Sequence, residues 1–156
     1  LSKVLMISIS KLEMTASASE AFFVASFVDV TAQTGATVNP QSGLVELKKF
    51  PICHKRDLLF LDARSIYFFA ADKNYCRVFS DGGKYYVHLT LKQVLQRCTE
   101  PGFAMVHKSY VVNLEHVSEI KRDQGQYAIV FDRKDIPPVP VARRRLNHLK
   151  AALGLN

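Results

Sequence analysis

The 156-residue sequence predicts a mostly β fold with two short helices. Short runs of β-branched, aliphatic and aromatic residues recur at close spacing through most of the chain, and turn residues separate them. Only two stretches carry apolar residues at helical spacing. Hydrophobic residues make up 48% of the chain, which supplies a packed core and excludes disorder throughout. The length fits one domain, or one domain and a fragment of another.

The first two strand-like runs predict a β-hairpin. They are residues 3–9 and 21–30, and the connection KLEMTASASE has the composition of a loop. Two strands are not stable alone in water, so either partner strands outside this sequence or another chain must cover the hairpin. Residues 31–43 are rich in Thr, Gly, Asn and Ser and predict a linker. The expected division is a hairpin at 1–33, a linker at 34–45 and a main domain at 46–156.

The first half of the main domain contains five strand-like runs and one helix. The turn Asp81-Gly82-Gly83 separates the last two strands, because glycine readily adopts positive φ. Thr90 has the position of an N-cap, and the following LKQVLQRC spaces its apolar residues for a short amphipathic helix. Residues 99–102 (TEPG) predict the end of that helix. The five strand runs are 44–50, 57–61, 65–71, 75–79 and 84–88.

The second half contains five further strand-like runs and the second helix. Residues 142–153 place their leucines on one face, which predicts a C-terminal amphipathic helix. Gly154 is its expected stop. The strand runs are 102–106, 109–114, 116–121, 126–131 and 136–141.

The sequence carries the patterns of neither a membrane protein nor an enzyme. It has no run of eighteen apolar residues and no signal-peptide pattern, so we expect a cytoplasmic protein without a membrane partner. Cys53, Cys76 and Cys98 have spacings that fit neither a disulfide framework nor a zinc site, and no metal is expected. Because phosphate-binding glycine loops, HExxH motifs and paired carboxylates are absent, no catalytic residues are expected.

The positive charge lies in the main domain. The whole chain has a formal charge of +7. Residues 46–156 contain 19 Lys and Arg against 11 Asp and Glu, whereas residues 1–45 carry a net charge of −1. A basic domain is typical of nucleic-acid binding, since release of counterions from phosphates drives association. A solvated basic face without a partner is the alternative.

Three segments between strands combine cations with hydrogen-bonding groups that suit phosphate and base-edge contacts. In the HKS segment at 107–109, a His–Ser nucleophile is not expected, because nothing in the sequence indicates a carboxylate that would orient the histidine. The alternative for its histidine is a buried residue bonded to the backbone. The RRR segment opens a helix, where N–H groups favour anions. The residues of the three segments are Lys73, Asn74 and Arg77; His107, Lys108 and Ser109; and Arg143, Arg144 and Arg145.

These segments, in their order along the chain, resemble the LytTR DNA-binding domain of bacterial transcription regulators. The resemblance spans roughly residues 46–153, and its most specific pieces are HKSYVVN at 107–113 and VPVARRR at 139–145. It implies elongated antiparallel β-sheets with short helices. It also implies that loops placed in successive major grooves contact the DNA.

The resemblance assigns roles to particular residues. Lys108 and Arg144 correspond to residues that read DNA in the family, and Ser109 corresponds to a residue near phosphate. Cys76 matches a loop position that reads DNA in some members. Because cysteine reads bases poorly, the neighbours Asn74 and Arg77 are alternatives for that contact, and Arg77 is otherwise an ordinary outward strand residue.

The N-terminal hairpin resembles the last strands of a PAS sensor domain, ending in Asp-Val-Thr at 29–31. PAS joined to LytTR is similar to haem-binding, carbon-monoxide-responsive regulators. This likeness places haem in the full-length protein, with no cofactor expected within residues 1–156, and implies a homodimer through the PAS region. Met6 and Met14 are candidate haem ligands, although a core methionine is the commoner role.

Together these features predict a sequence-specific transcription regulator that binds double-stranded DNA with repeated half-sites. The alternative is a ligand-sensing or protein-interaction module whose basic face binds an acidic partner. A second alternative is RNA binding through stacked aromatics, although strand aromatics more often pair within the sheet. The tyrosines concerned are Tyr67, Tyr75, Tyr85 and Tyr86.

Overall fold

The computed structural model describes residues 3–12, 22–98 and 102–155, and it confirms a mostly β fold. The helices are α1 Thr31–Thr34, α2 Leu91–Arg97 and α3 Arg143–Ala152, and two 3-10 turns lie at Ala63–Ser65 and Leu114–His116. The strands are β1 Leu5–Leu12, β2 Phe22–Asp29, β3 Thr37–Val38, β4 Val45–Glu46, β5 Lys49–His54, β6 Asp57–Asp62, β7 Ile66–Asp72, β8 Tyr75–Ser80, β9 Gly83–Val87, β10 Phe103–His107, β11 Tyr110–Asn113, β12 Val117–Asp123, β13 Gln126–Phe131 and β14 Val139–Val141.

The strands form antiparallel sheets of two, three and five strands. The five-stranded sheet has the order β10-β11-β7-β8-β9, and the three-stranded sheet has the order β12-β13-β14. The remaining strands pair two by two, as β1-β2, β3-β4 and β5-β6. None of the helices among the described residues is long and apolar enough to cross a membrane.

The five-stranded sheet lies between two hydrophobic cores. Its central strand β7 is buried on both faces, so its residues divide between the cores. Phe69 belongs to the first core, where it packs edge-on against Phe50 of β5, and helix α2 also contributes to this core. Phe68 belongs to the second core, where it stacks on Phe131 of β13, and helix α3 covers that side. The two sheets and two helices are thus held together through β7.

Several local predictions are confirmed. Strands β1 and β2 pair as the predicted hairpin. Thr90 caps α2, accepting a hydrogen bond from the Gln93 amide, and the Gln93 side chain accepts one from the Thr90 amide. Gly83 has a φ of +132° in the predicted β8-β9 turn. Of the predicted hairpin loop at 11–20, residues 11 and 12 belong to β1, and the rest lies outside the described residues. Of the predicted helix end at 99–102, only residue 102 is described.

The segment whose composition predicts a linker contains regular structure. Helix α1 and strand β3 lie within residues 31–43, which makes three helices rather than the two predicted. Thr34 is fully buried, and its hydroxyl donates to the Val30 carbonyl over 2.9 Å. The Lys48 amide in turn donates to the Thr34 carbonyl over 3.0 Å. These hydrogen bonds satisfy the polar groups of the segment. The segment is too short to show helical periodicity, so its composition alone does not reveal the helix.

The predicted strand at 44–50 is divided in two. Strand β4 ends at Glu46 and β5 begins at Lys49, with the fully buried Leu47 between them. The Leu47 amide donates to the Arg97 carbonyl over 2.6 Å, and Leu47 bridges to Cys98 in parallel fashion. The contact with the end of α2, which is distant in sequence, therefore divides a stretch of strand-forming residues that is continuous in the sequence.

Candidate nucleic-acid interface

Two of the three predicted segments lie at the same end of the five-stranded sheet. Strand β7 ends in the turn Lys73–Asn74, and β10 ends in the turn Lys108–Ser109. Strand β11 pairs with β7, with Tyr110 opposite Ala70. The Ala71 amide donates to the Ser109 carbonyl over 2.9 Å, which joins the two turns directly. We call this end of the sheet the loop end.

The start of α3 brings the third segment to the loop end. The Ala142 amide donates to the Val106 carbonyl over 2.9 Å, so the helix begins beside the last residues of β10. Arg145 is half-buried, and its Nη2 donates to the Met105 sulfur over 3.8 Å. Arg143 and Arg144 are exposed. Residues separated by some seventy positions in sequence thus share one surface.

Strand alternation separates Arg77 from its neighbour Cys76. Arg77 is exposed, and its Nε lies 3.4 Å from Asp72 Oδ2 in an ion pair. Cys76 is 1% exposed, packs in the first core and donates from Sγ to the Leu89 carbonyl over 3.0 Å. Burial raises the pKa of the Cys76 thiol to about 11. This placement corrects the expectation of a DNA contact at Cys76, because consecutive residues of a strand face opposite sides and only Arg77 faces outward.

His107 supports the β10-β11 turn from within. The Ser109 amide donates to His107 Nδ1 over 3.2 Å, and the imidazole lies 5.7 Å from the Tyr110 ring, centroid to centroid. The histidine is half-buried, whereas Lys108 at the tip of the turn is exposed. This geometry favours the backbone-bonding role for His107 and leaves Lys108 facing outward.

The loop end carries cations that have no internal counter-ion. Across residues 3–12, 22–98 and 102–155, the recorded ion pairs include none made by the exposed Lys73, Lys108, Arg143 or Arg144. Lysine and arginine side chains in this state keep all their donors available to an anion. The surface therefore suits a polyanion whose charges follow one another along a line, as phosphates do in a nucleic acid.

A fourth segment, the β12-β13 turn, was not predicted from the sequence. Gln124 and Gly125 have φ of +46° and +80° and form its tip. A Cβ added to Gly125 would lie 4.0 Å from Arg143 Nη2, so the turn reaches the start of α3. Arg122 lies over the Tyr127 ring at 5.6 Å. The signal in the sequence was the tract KRDQGQ at 121–126, a basic pair followed by a glycine turn.

An exposed aromatic edge lies beside Arg77. Tyr86 of β9 lies directly opposite Arg77 and is 52% exposed, with the Tyr75 ring 5.2 Å away. Tyr67, by contrast, is only 3% exposed and belongs to the second core. The four tyrosines that RNA stacking would need therefore do not share one exposed surface.

Within the described ranges, His, Cys, Asp and Glu nowhere form a group of three that could hold a metal ion. Burial raises the pKa of the Cys98 thiol to about 12, which keeps it protonated and unreactive at neutral pH. The arrangement at the loop end is one of donors and cations, which bind anions.

Comparisons with known proteins find a matching family and related transcription regulators. The model of the LytTr DNA-binding domain family matches residues 56–154. The heme-containing CO-sensing transcriptional regulator RcoM 2 of Paraburkholderia xenovorans is 28% identical over 158 residues, covering 98% of this chain and 58% of the relative. The transcriptional regulatory protein BtsR of Escherichia coli K12 is 32% identical over 111 residues, covering 70% of this chain and 44% of the relative. The chain thus spans about half the length of the curated relatives it matches.

A solved structure shows the same fold. The LytTr DNA-binding domain of a response regulator from Bacillus cereus superposes with a TM-score of 0.62 at 16% sequence identity. The match covers 69% of this chain and 98% of that one.

Proposed function

The chain belongs to the family of LytTR DNA-binding domains, and from this premise we propose that it acts as a sequence-specific, double-stranded DNA-binding regulator of transcription. The observation that carries the proposal is the convergence of three cation-bearing segments at the loop end. Loops grouped in this way can enter neighbouring parts of a major groove, which displays a distinct donor and acceptor pattern for each base pair.

The proposed roles divide into three groups. Lys108, Arg144 and Arg77 are proposed to reach base edges, because they are exposed and carry long donor side chains. His107 at the end of β10 and Arg145 in α3 are half-buried and are proposed to hold their segments in place. Phosphate contacts are proposed for Lys73, Asn74, Ser109 and Arg143.

A domain of this size binds a short site. A single DNA-binding module buries on the order of 600–1,000 Å² of protein surface, which limits its affinity. Two copies on repeated half-sites would double that area, so we propose that the protein binds DNA as a homodimer. In such an arrangement the spacing of the half-sites follows the geometry of the dimer.

The experiment that tests the proposal is selection of bound duplexes from a random pool, followed by fluorescence anisotropy with the selected duplex. With about four phosphates neutralised, affinity should fall on the order of 100-fold between about 50 and 200 mM salt. An affinity that stays flat with salt would overturn DNA binding. Failure to enrich any sequence would overturn sequence specificity.

Matched lysine variants locate the interface. Lys108→Ala removes an exposed cation from the loop end, and Lys84→Ala removes one from the opposite end, where Lys84 lies over the Phe79 ring. We expect Lys108→Ala to weaken binding of the selected duplex by about 1–3 kcal/mol and Lys84→Ala to leave it unchanged. Equal losses in both variants would mean that net charge, and not the loop end, governs binding.

The rival proposal is a module whose basic face binds an acidic protein partner. The same unpaired cations would attract such a partner, so charge alone does not separate the two functions. Retention on heparin, followed by elution with random duplex or with an acidic protein, separates them. Elution by the acidic protein alone would favour the rival, and we expect elution by duplex.

The N-terminal hairpin is proposed to be the end of a PAS-like sensor at residues 1–33, joined through 34–45 to the DNA-binding domain at 46–156. One face of the hairpin is apolar and exposed, with Ile7 opposite Phe27 at 55% and 63% exposure, and Leu5 and Ile9 beside them. A face of this kind needs a cover. We propose that further sensor strands and a second copy of the sensor supply it, and that the longer protein works in the cytoplasm.

Met6 is half-buried against the first core, and Met14, the other candidate ligand, lies outside the described residues. A heme-containing, CO-sensing activity is stated for the relative RcoM 2. We propose haem only for a longer protein that contains this chain. An absorption spectrum of that full-length protein should show a Soret band, and a spectrum without one would overturn this proposal.

A further inference from the structure

The Asp72–Arg77 pair stands on either side of the β7-β8 turn at the loop end. Asp72 Oδ2 lies 3.4 Å from Arg77 Nε, and both side chains are partly exposed, at 32% and 46%. The two-residue turn between them includes Lys73 at a φ of +54°, so the spacing of the two strands is closely set. The pair therefore faces the surface where DNA is proposed to bind.

The neighbours of Arg77 hold its stem against the sheet. Ala70 lies opposite it on β7 and Tyr86 lies opposite it on β9, so the arginine emerges between a buried small residue and an exposed ring. Asp72 approaches the guanidinium from the Nε side. Among the recorded ion pairs of the described residues, Nη1 and Nη2 of Arg77 take part in none. These are the two groups that pair side by side with guanine O6 and N7.

A carboxylate at this place needs a reason other than stability. Exposed ion pairs contribute little to folding. A negative charge close to approaching phosphates also weakens attraction to DNA of any sequence. The same charge, however, attracts the guanidinium of Arg77 toward Asp72 at 3.4 Å and competes with phosphates for it.

We propose that Asp72 is a positioning residue that sets DNA specificity through Arg77. It holds Nε, presents Nη1 and Nη2 to a base edge, and opposes the phosphate contacts on which non-specific complexes depend. This inference rests on the proposed function. It adds that an acidic residue, and not only the cations, decides which sequences are bound.

The test is the ratio of affinities for the selected duplex and for a scrambled duplex of the same composition. We expect Asp72→Asn to bind the scrambled duplex more tightly and to lower the ratio about tenfold, the equivalent of one base contact. The matched control is Asp57→Asn, which removes the same charge from the exposed β5-β6 turn, away from the loop end, and should leave the ratio unchanged. In combination with Arg77→Ala, Asp72→Asn should lower the ratio no further.

The outcomes separate this inference from the proposed function. A wild-type chain that binds both duplexes equally overturns both. A wild-type chain that discriminates, with Asp72→Asn keeping the full ratio or Asp57→Asn losing as much of it, overturns the role of Asp72 alone. Asp72→Glu keeps the negative charge. The inference is supported if this variant has the wild-type ratio of affinities and if thermal unfolding is the same in all the variants.

Discussion

The two ends of the five-stranded sheet use their charges differently. At the end opposite the loop end, which we call the paired end, Arg133 bonds to Asp135 over 2.7 Å and to Asp81 over 3.3 Å. His116 lies there between the Arg64 carbonyl oxygen, 2.7 Å from Nε2, and Asp132, 3.4 Å from Nδ1. At the loop end the exposed lysines and arginines named above, apart from Arg77, take part in none of the recorded ion pairs of the described residues.

The difference teaches how to recognise a binding surface on a basic protein. Arg133 at the paired end has internal partners, so its charge is already neutralised and it serves the fold, whereas Lys84 at the same end takes part in none of the recorded ion pairs of the described residues. Cations at the loop end, apart from Arg77, keep their charge for a ligand. Net charge alone does not reveal this distinction, because it counts both kinds of residue equally.

The largest effect on stability is expected from substituting Phe131, which packs between the two sheets. Phe131 stacks on Phe68 at 5.5 Å and meets Tyr67 edge-on at 5.6 Å, and so joins the three-stranded sheet to the five-stranded one. Phe131→Ala should lower the free energy of unfolding by about 3–5 kcal/mol. Urea denaturation measures this. A loss below about 1 kcal/mol would show that the two sheets do not depend on each other at this point.

Arginine substitutions should separate the two ends. Arg144→Ala should weaken binding of the selected duplex by about 1–3 kcal/mol while leaving the melting temperature unchanged, because its side chain is exposed. Arg133→Ala should lower the melting temperature and leave affinity unchanged, because it removes two ion pairs far from the loop end. Anisotropy and thermal unfolding give both values. An Arg144→Ala loss that is equal for selected and scrambled duplexes would make Arg144 a phosphate contact.

A smaller effect is expected from a single hydroxyl at the paired end. The Tyr67 hydroxyl donates to Asp81 over 3.0 Å, and burial together with this hydrogen bond raises the Tyr67 pKa to about 12. Tyr67→Phe should lower the free energy of unfolding by about 0.5–1.5 kcal/mol and leave DNA affinity unchanged. A weaker complex with the selected duplex would mean that the two ends are coupled.

The smallest effect on stability is expected from the loss of the Asp135 and Asp62 charges at low pH. Hydrogen bonds from Arg133 hold the Asp135 pKa below its ordinary value of 3.8, and hydrogen bonds from Arg64 do the same for Asp62. A carboxyl whose pKa is lower in the folded chain stabilises the fold above pH 3.8, and this contribution is lost as the pH falls through the lowered value. The melting temperature should therefore drop below about pH 4, and less so in Asp135→Asn. An identical drop in that variant would exclude Asp135 as a source.

Local patterns predicted most of the strands. The run at 126–131 has the bounds of β13, and the Thr90 cap and the β8-β9 turn were found because their signals lie within a few residues. Helix α1 was missed because one turn shows no periodicity and its buried Thr34 looks polar in a composition count. The placement of Cys76 was misjudged because its family position was given more weight than the alternation that faces Arg77 outward.

The sequence by itself determined three features: the mostly β class, the succession of strands along the chain and the three cation-rich segments. Each of these depends on near neighbours, through alternation, turn residues and local charge. The tertiary structure decided which cations keep their charge for DNA. Arg133 meets Asp81 across 52 positions, and the Ala71–Ser109 and Ala142–Val106 hydrogen bonds bring the loop-end segments together. Such contacts form only when the sheets pair and pack, and for that reason no local pattern contains them.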